Sequence, residues 1–537
     1  MVREEIETDT KASITFQSRN KEKIFSMSLS LKLIVLILIT LLTRLLIFLK
    51  HQIITNDGML YVQMAKLFSE GKYEGIASSY FNLYPLMLSF VQKFIGDWEL
   101  SGQLISITLG TLTVVPIFLL GRSLYNEKVG WLSALFYIIL PNFLKFDTNV
   151  LRDPTYWFFM AFTLWLVWDG LQKKQLALLG LASISAGLGA MTRVEGFIIW
   201  GALVFYIAFR KINGISLKRK ALHIVLLIII FPLLISPILF FLKKQSSQIA
   251  LGEMASFSFK SVAANVRVIF QPKDPIHAMG ERAYKSLPNI SKDSLELASR
   301  HRVILGISEV IYKFIKSANL LIILILLGIW RRKRDGFETS DWYLFYIFST
   351  LFGMSMLYTR QIYYFSTRHG LTLVLPCLFF SAHGMTAITD HISRKIDQLA
   401  SRWKIMKKYT FHLLIFFLVV IFLAQGFSTQ KTEKYYLKEI GLWLRDNGHQ
   451  GSVIMGPDKF FRIAFYSNGK FLEMPDSLEK ILASIRKNGV RLVIIDSCTM
   501  EQDYPGFRTN WIQAGFTPLQ KIESKKEKCE IQIYKVQ

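Results

Sequence analysis

Four short stretches of the chain hold side chains that could do chemistry together. ITNDGMLYVQMAK, from Ile54 to Lys66, places one acid, Asp57, ahead of Tyr61. NVLRDPTYW carries Arg152 and Asp153, and MTRVEGF carries Arg193 and Glu195. YYFSTRHG carries Tyr363, Tyr364, Arg368 and His369. A carboxylate can take the proton of an attacking hydroxyl. Arginines can grip a phosphate and stabilise charge that grows on it. Each stretch also has a plain structural reading. Asp57 and Asp153 are each placed to cap a helix, the second with Pro154 in the first turn and Arg152 snorkelling. Arg193 and Glu195 could be a local ion pair at a tight turn. The last stretch could be an interfacial aromatic belt with an anchoring charge. Those readings leave one property unexplained, which is where the four stretches fall along the chain.

The chain has 537 residues, 52% of them hydrophobic, and the apolar ones come in blocks such as LIVLILITLL, IVLLIIIFPLLISPILFF, LLIILILLGIW and HLLIFFLVVIFLA. With their flanks, several reach the roughly 20 residues needed to cross a bilayer as a helix. Backbone in lipid must satisfy its own hydrogen bonds, which selects helices. The expected fold is a polytopic α-helical membrane protein with about 11 transmembrane helices. The spans are expected near 31–49, 101–121, 129–144, 154–171, 176–191, 196–209, 221–242, 317–330, 341–357, 371–388 and 409–427. The formal charge is +25, but the basic residues cluster in short loops at 173–174, 210–220, 331–334 and 394–408. That is the signature of cytoplasmic loops facing anionic lipid, and it argues against nucleic acid as a partner.

With a cytoplasmic N-terminus, every strongly basic loop falls on one side and all four candidate stretches fall on the other. Arg44, near the outer end of the first span, is a candidate to join them. Residues 1–30 read as a polar cytoplasmic tail with no cleavable signal peptide, followed by a retained signal anchor. Residues 31–427 read as the membrane domain, with outer loops 50–100 and 243–316. Leu60, Met64, Leu67 and Phe68 recur at helical spacing, so a short helix beginning at Asp57 is expected to lie flat in the outer interface. Residues 428–537 change character. GSVIMG, RLVIID and EIQIYKV read as strands, and SLEKILASIRKNG as an amphipathic helix ending at a glycine. A small extracytoplasmic α/β domain follows. Cys498 and Cys529, each beside a strand-like segment, are either a disulfide or two free thiols there. The protein is thus expected to be a multi-pass protein of the inner or plasma membrane.

A lone acid ringed by arginines at the outer interface suits one reaction in particular. An alcohol attacks a sugar whose leaving group is a lipid phosphate; the acid takes the alcohol's proton and the arginines hold the phosphate. No HExxH or Cys/His ligand spacing suggests a metal, and no Gly-rich loop suggests a nucleotide, so no cofactor is expected. Two other classes stay open. A lipid-linked glycan transporter or flippase would want ionisable residues along a path through the membrane. A non-catalytic membrane scaffold would use the outer tail to bind a partner.

At these residues the sequence resembles the GT-C superfamily of polyprenyl-phosphate-sugar-dependent glycosyltransferases, family 39-type, similar to protein O-mannosyltransferases and to the lipid A aminoarabinose transferase. Asp57 with Tyr61 and Ala65 is similar to the first outer-loop motif, and NLYPLMLSFVQKFIGD to the segment that follows it. Asp153 stands where the family carries an acid in its second outer loop. GLGAMTRVEG resembles GL-x-x-LTK-x-x-G, and FSTRHGLTLVLP resembles S-x-R-Y-x-x-x-x-x-P. The resemblance implies that Asp57 is the catalytic base and that Arg193 and Arg368 contact the carrier phosphate. Tyr61, Arg152, Asp153, Glu195, Tyr364 and His369 are the further substrate-binding candidates. The implied partners are a polyprenyl-phosphate-linked sugar donor, a lipid, glycan or protein acceptor, and membrane lipids. Three positions depart from the pattern: Gly58 where many members have a second acid, Arg193 for the usual lysine, and His369 for the common tyrosine.

Overall fold

A computed structural model describes residues 28–50, 53–72, 82–210, 216–245, 301–362, 365–397, 404–428, 435–475, 477–496, 516–523 and 530–536. Helix Leu29–Phe48 shows how the apolar blocks fold. Ser28 caps it, and Leu36, Thr40, Arg44 and Ile47, spaced by a helical turn, form its buried stripe. Leu38 and Leu42 on the opposite face are exposed. One stripe packs inward and the rest is left for lipid.

Among the described residues, four helices are long and apolar enough to cross a membrane: Leu29–Phe48, Trp98–Leu124, Thr367–Ile396 and Tyr409–Ser428. Two bent pairs raise the number to six. Glu127–Ile139 meets Pro141–Asp147 at 63°, and Val303–Ala318 meets Leu321–Asp335 at 102°. The apolar helices Leu83–Ile95, Leu176–Thr192 and Glu195–Phe209 are shorter. At 1.5 Å per residue they fall short of a hydrocarbon core about 30 Å thick. The apolar blocks are therefore helices, and by length and composition four to six of the described ones are long and apolar enough to cross, where about 11 spans were expected. Within the segment 243–316 expected to lie outside, the described part includes the start of helix Arg302–Ala318. Residues 246–300 lie outside the described ones.

Helices Leu321–Asp335 and Thr367–Asp397 press backbone to backbone at Gly328 and Gly384. A Cβ at either glycine would overlap the other helix's carbonyls, at Phe380 and Leu324. Such close approach is what small residues permit between helices in lipid. One end of the bundle gathers basic loops onto acids: Lys32 on Glu127 at 2.6 Å, Arg332 on Asp341 at 2.8 Å, and Arg331 on Asp390 at 2.5 Å. Helix Leu29–Phe48 runs from that end toward Ile54, which touches the C-terminal domain.

The C-terminal part holds a five-stranded sheet of β1 (Val453–Gly456), β2 (Lys470–Glu473), β3 (Leu492–Asp496), β4 (Phe516–Glu523) and β5 (Glu530–Val536), in the order β2-β1-β3-β5-β4. β1 is parallel to β2 and β3, whereas β5 is antiparallel to β3 and β4. Helices Tyr435–Leu444 and Phe461–Tyr466 cover one face through Leu437, Ile440 and Ile463 against Ile454, Leu492 and Ile494. Helix Leu478–Asn488 covers the other through Ile481 and Ile485 against Met455, Val493 and Ile495. A strand buried on both faces must be apolar throughout, and LVIID is so up to its last residue. That helix ends at Gly489 with a φ of 61°, as its sequence leads one to expect. Cys377 is buried and unpaired, while Cys498 and Cys529 lie outside the described residues.

Candidate active site

The helix bearing Asp57 runs from Asn56 to Ser69, and its cap is Thr55, whose hydroxyl accepts the Gly58 N–H at 3.0 Å. Asp57 is therefore not the cap, and its carboxylate is spared for other work. It is ion-paired with Nη2 of Arg368. Of the expected stripe Leu60, Met64, Leu67 and Phe68, Met64 and Phe68 are buried and Leu60 is exposed, and the helix also packs through Gly58, Met59, Tyr61, Val62 and Ala65. Gly58 sits at a close approach. A Cβ there would lie 2.8 Å from Ile54 Cγ1 and 2.9 Å from the Val150 carbonyl. The position after Asp57 is closed to a second acid by packing, and that same packing sets the Asp57 helix against the loop that leads to Asp153.

Asp153 opens helix Asp153–Lys173 with Pro154 behind it, and Arg152 at the cap position makes no side-chain capping bond. The Asp153 carboxylate is used elsewhere. Its Oδ1 takes Nη1 of Arg193, and its Oδ2 faces Nη1 of Arg368 at 3.8 Å. Arg193 follows helix Leu176–Thr192 in extended backbone and forks onto Glu195, with Nε at 3.2 Å and Nη2 at 2.6 Å from the two carboxylate oxygens. Four stretches far apart in sequence thus meet in one alternating row of charges, Asp57–Arg368–Asp153–Arg193–Glu195. The local ion pair expected for Arg193 and Glu195 is present, and Arg193 extends it to Asp153.

Aromatic rings line this row. The Arg152 guanidinium lies 5.8 Å from the centre of the Tyr61 ring, and Tyr61 meets Tyr84 edge to face at 5.4 Å. Burial pushes the Tyr61 phenol above its ordinary range, so its hydroxyl stays neutral and available to donate. His369 sits beside Tyr358 and Phe365, each ring centre 5.4 Å away, within electrostatic reach of Asp153, Arg193 and Glu195. Among the described residues, Arg152 Nε, Arg368 Nε, His369 Nδ1 and Asp153 Oδ2 are buried without a hydrogen-bond partner. Such unfilled valences are uncommon in folded proteins and concentrate where a ligand completes them.

Of the residues singled out in the sequence, Asp57, Tyr61, Arg152, Asp153, Arg193, Glu195, Arg368 and His369 converge here. Tyr363 and Tyr364 lie outside the described residues. Arg44 does not join. It is sealed against Asp147, with Nε at 3.2 Å and Nη2 at 2.9 Å from Oδ2. No group of three or more His, Cys, Asp or Glu side chains arranged to hold a metal occurs among the described residues. The three carboxylates of the row are matched by arginines instead. Sequence reasoning missed the residues behind Asp57. The Ile54 N–H donates to the Tyr466 hydroxyl, and Arg462 donates to the Ile54 carbonyl, each at 2.9 Å. Their partners stand 412 and 408 positions away, so no local pattern could reveal them.

The family described as dolichyl-phosphate-mannose-protein mannosyltransferase matches residues 83–241, a range that holds Asp153, Arg193 and Glu195 but neither Asp57 nor Arg368. In fold the chain is similar to ArnT from Cupriavidus metallidurans in the apo state, with a TM-score of 0.56 at 12% identity over 95% of this chain and 98% of that one. The same protein bound to undecaprenyl phosphate gives 0.52 at 10% identity, over 95% and 98% of the two chains. An oligosaccharyltransferase of Archaeoglobus fulgidus, in complex with zinc and sulfate, gives 0.55 at 14% identity over 87% of this chain and 68% of that one. No curated protein matches the sequence. The family match and the shared fold bear out the resemblance to GT-C enzymes that use polyprenyl-phosphate carriers.

Proposed function

We propose that this protein is an inverting glycosyltransferase that moves a sugar from a polyprenyl-phosphate carrier to an acceptor hydroxyl at the outer face of the membrane. The observation that carries this reading is the alternating row Asp57–Arg368–Asp153–Arg193–Glu195, with unfilled valences on Arg368, Arg152, His369 and Asp153. The acceptor oxygen attacks the anomeric carbon as its proton passes to Asp57. The bond from that carbon to the phosphate oxygen breaks, and its electrons stay with the phosphate. A carboxylate is a weak base, and Asp57 is paired with Arg368. The same pairing links the two ends of the reaction. Protonation of Asp57 cancels its hold on Arg368 just as the departing phosphate gains charge, so the guanidinium can turn to the leaving group. Asp153 and the Arg193–Glu195 fork hold the row in place, and Arg152 over Tyr61 borders it. The carrier's acyl chain would lie between membrane helices, with its headgroup at this row.

The test is mass spectrometry of envelope glycans and lipids from cells with the protein, without it, and with Asp57→Asn. A glycoform present in the first and missing from the other two is the expected result. An Asp57→Asn protein that is expressed and yields the full product would remove this mechanism. A parent protein that exports a lipid-linked glycan but transfers no sugar would favour a transporter.

A further inference from the structure

Beyond the row of charges, the C-terminal domain reaches the backbone just ahead of Asp57. The Tyr466 hydroxyl accepts the Ile54 N–H at 2.9 Å and donates to Glu99 Oε1 at 3.0 Å. Glu99 Oε2 takes Lys438 Nζ at 2.7 Å, and that ammonium also lies 5.1 Å from the centre of the Tyr466 ring. Arg462 Nε donates to the Ile54 carbonyl at 2.9 Å. Ile54 is 2% exposed, so neither of its backbone groups has water as a substitute partner. A hydroxyl has one proton. Here it is committed to Glu99, which turns a lone pair toward Ile54 and sets the direction of the relay. Lys438 and Tyr466 belong to the C-terminal domain, whereas Glu99 stands in the first turn of helix Trp98–Leu112. The Ile54 side chain is also one of the walls against Gly58.

We infer that Tyr466 and Arg462 are positioning residues: by holding both backbone groups of Ile54 they fix the first turn of the helix that aims Asp57 at Arg368. The inference rests on reading Asp57 as the base. Nothing bonds Tyr466 or Arg462 to the row itself, so their effect passes through Ile54, the Thr55 cap and Gly58. Misplacing a reacting group by about 1 Å can cost roughly 100-fold in rate. The C-terminal domain then serves as a brace for the active site, besides any part it plays in meeting the acceptor.

The experiment uses the full chain in phospholipid nanodiscs, with product formation followed in cells by glycan mass spectrometry. Amide exchange is measured across 53–58 for the parent, Tyr466→Phe, Arg462→Ala and Arg462→Lys, and undecaprenyl phosphate binding is measured in parallel. Loss of one backbone anchor is expected to speed exchange in that segment about tenfold and to lower product formation about tenfold. Carrier binding and the thermal midpoint should stay as in the parent, and Arg462→Lys, which can still donate to the carbonyl, should recover most of the product. A general loss of stability would instead lower binding and midpoint together and overturn the inference. Unchanged exchange in both Tyr466→Phe and Arg462→Ala would overturn it, as would faster exchange with undiminished product. Arg462→Ala keeps the test open should Tyr466→Phe fail to fold. If Asp57→Asn still forms product, the base itself is wrong and the positioning role falls with it. The exchange result then tells whether the anchor or the reading of Asp57 failed.

Discussion

Two arginine–aspartate pairs in this molecule look alike on paper and differ in what surrounds them. Arg44 and Asp147 are fully buried, at 0% side-chain exposure each. Arg44 places Nε and Nη2 on Asp147 Oδ2, and Nη1 on the Ile138 carbonyl at 2.9 Å and the Thr43 hydroxyl at 3.1 Å. Every guanidinium nitrogen is engaged, and the ring of Tyr137 lies 4.9 Å from the guanidinium carbon. Arg368 and Asp57 are 22% and 38% exposed. Arg368 keeps Nε unpartnered and stands 3.8 Å from a second carboxylate that it does not fully engage. The first pair spends its whole guanidinium on partners within the fold, although Asp147 Oδ1 has none of its own; the second is part-exposed and leaves a guanidinium nitrogen unspent. Engagement of the guanidinium separates the two, where residue type does not.

The strongest way to break that contrast is to exchange the carboxylates for neutral groups. Asp57→Asn should cut product formation about 10³-fold, equivalent to about 4 kcal/mol of transition-state stabilisation, while folded yield stays near that of the parent. Quantitative glycan analysis beside a detergent melting curve measures both. Asp147→Ala should do the reverse and cost about 3 kcal/mol or more of stability, because it strands a buried guanidinium. Adding Arg44→Met to Asp147→Leu should restore much of that loss in the same melting experiment. A sealed pair whose removal spares folding but stops transfer would show that the contrast is drawn wrongly. Gly58→Ala tests the wall between the two loops of the open site. With walls at 2.8 and 2.9 Å, it should lower product formation about tenfold through a displacement costing roughly 1–2 kcal/mol. Arg193→Lys keeps the charge but loses the fork onto Glu195. It should weaken undecaprenyl phosphate binding severalfold, on the order of 1 kcal/mol, with little change in melting.

Much of the open site was readable because each of its residues stands where an apolar block gives way to a polar loop. Asp57, Asp153, Arg193, Glu195 and Arg368 all carry that mark. Which acid meets which arginine was not readable. Arg44 sits near a helix end and so seemed eligible, yet the side it occupies decides its fate, and it falls on the buried stripe with Leu36, Thr40 and Ile47. Asp147 reads as a loop acid, but the 63° turn between Ile139 and Pro141 carries it to a fully buried position. In the sheet, β1 and β3 announce themselves by apolar runs and β5 by alternation of apolar and polar residues. β2, KFLE, and β4, FTPLQKIE, are mixed in polarity and stand at the two edges, where strands take polar residues. The hold of Tyr466 and Arg462 on Ile54 joins the far ends of the chain and has no local trace.

The bond between Asp57 and Gly58 has a chemical fate of its own. In an unconstrained chain an Asp–Gly junction is prone to cyclise, because the glycine nitrogen, unshielded by any neighbouring side chain, attacks the carboxyl group and leaves a cyclic imide that reopens as isoaspartate. Here that nitrogen is held in a helical turn with its hydrogen on Thr55 at 3.0 Å. The threonine that caps the helix thus also restrains the nitrogen through which the Asp57 carboxyl would cyclise.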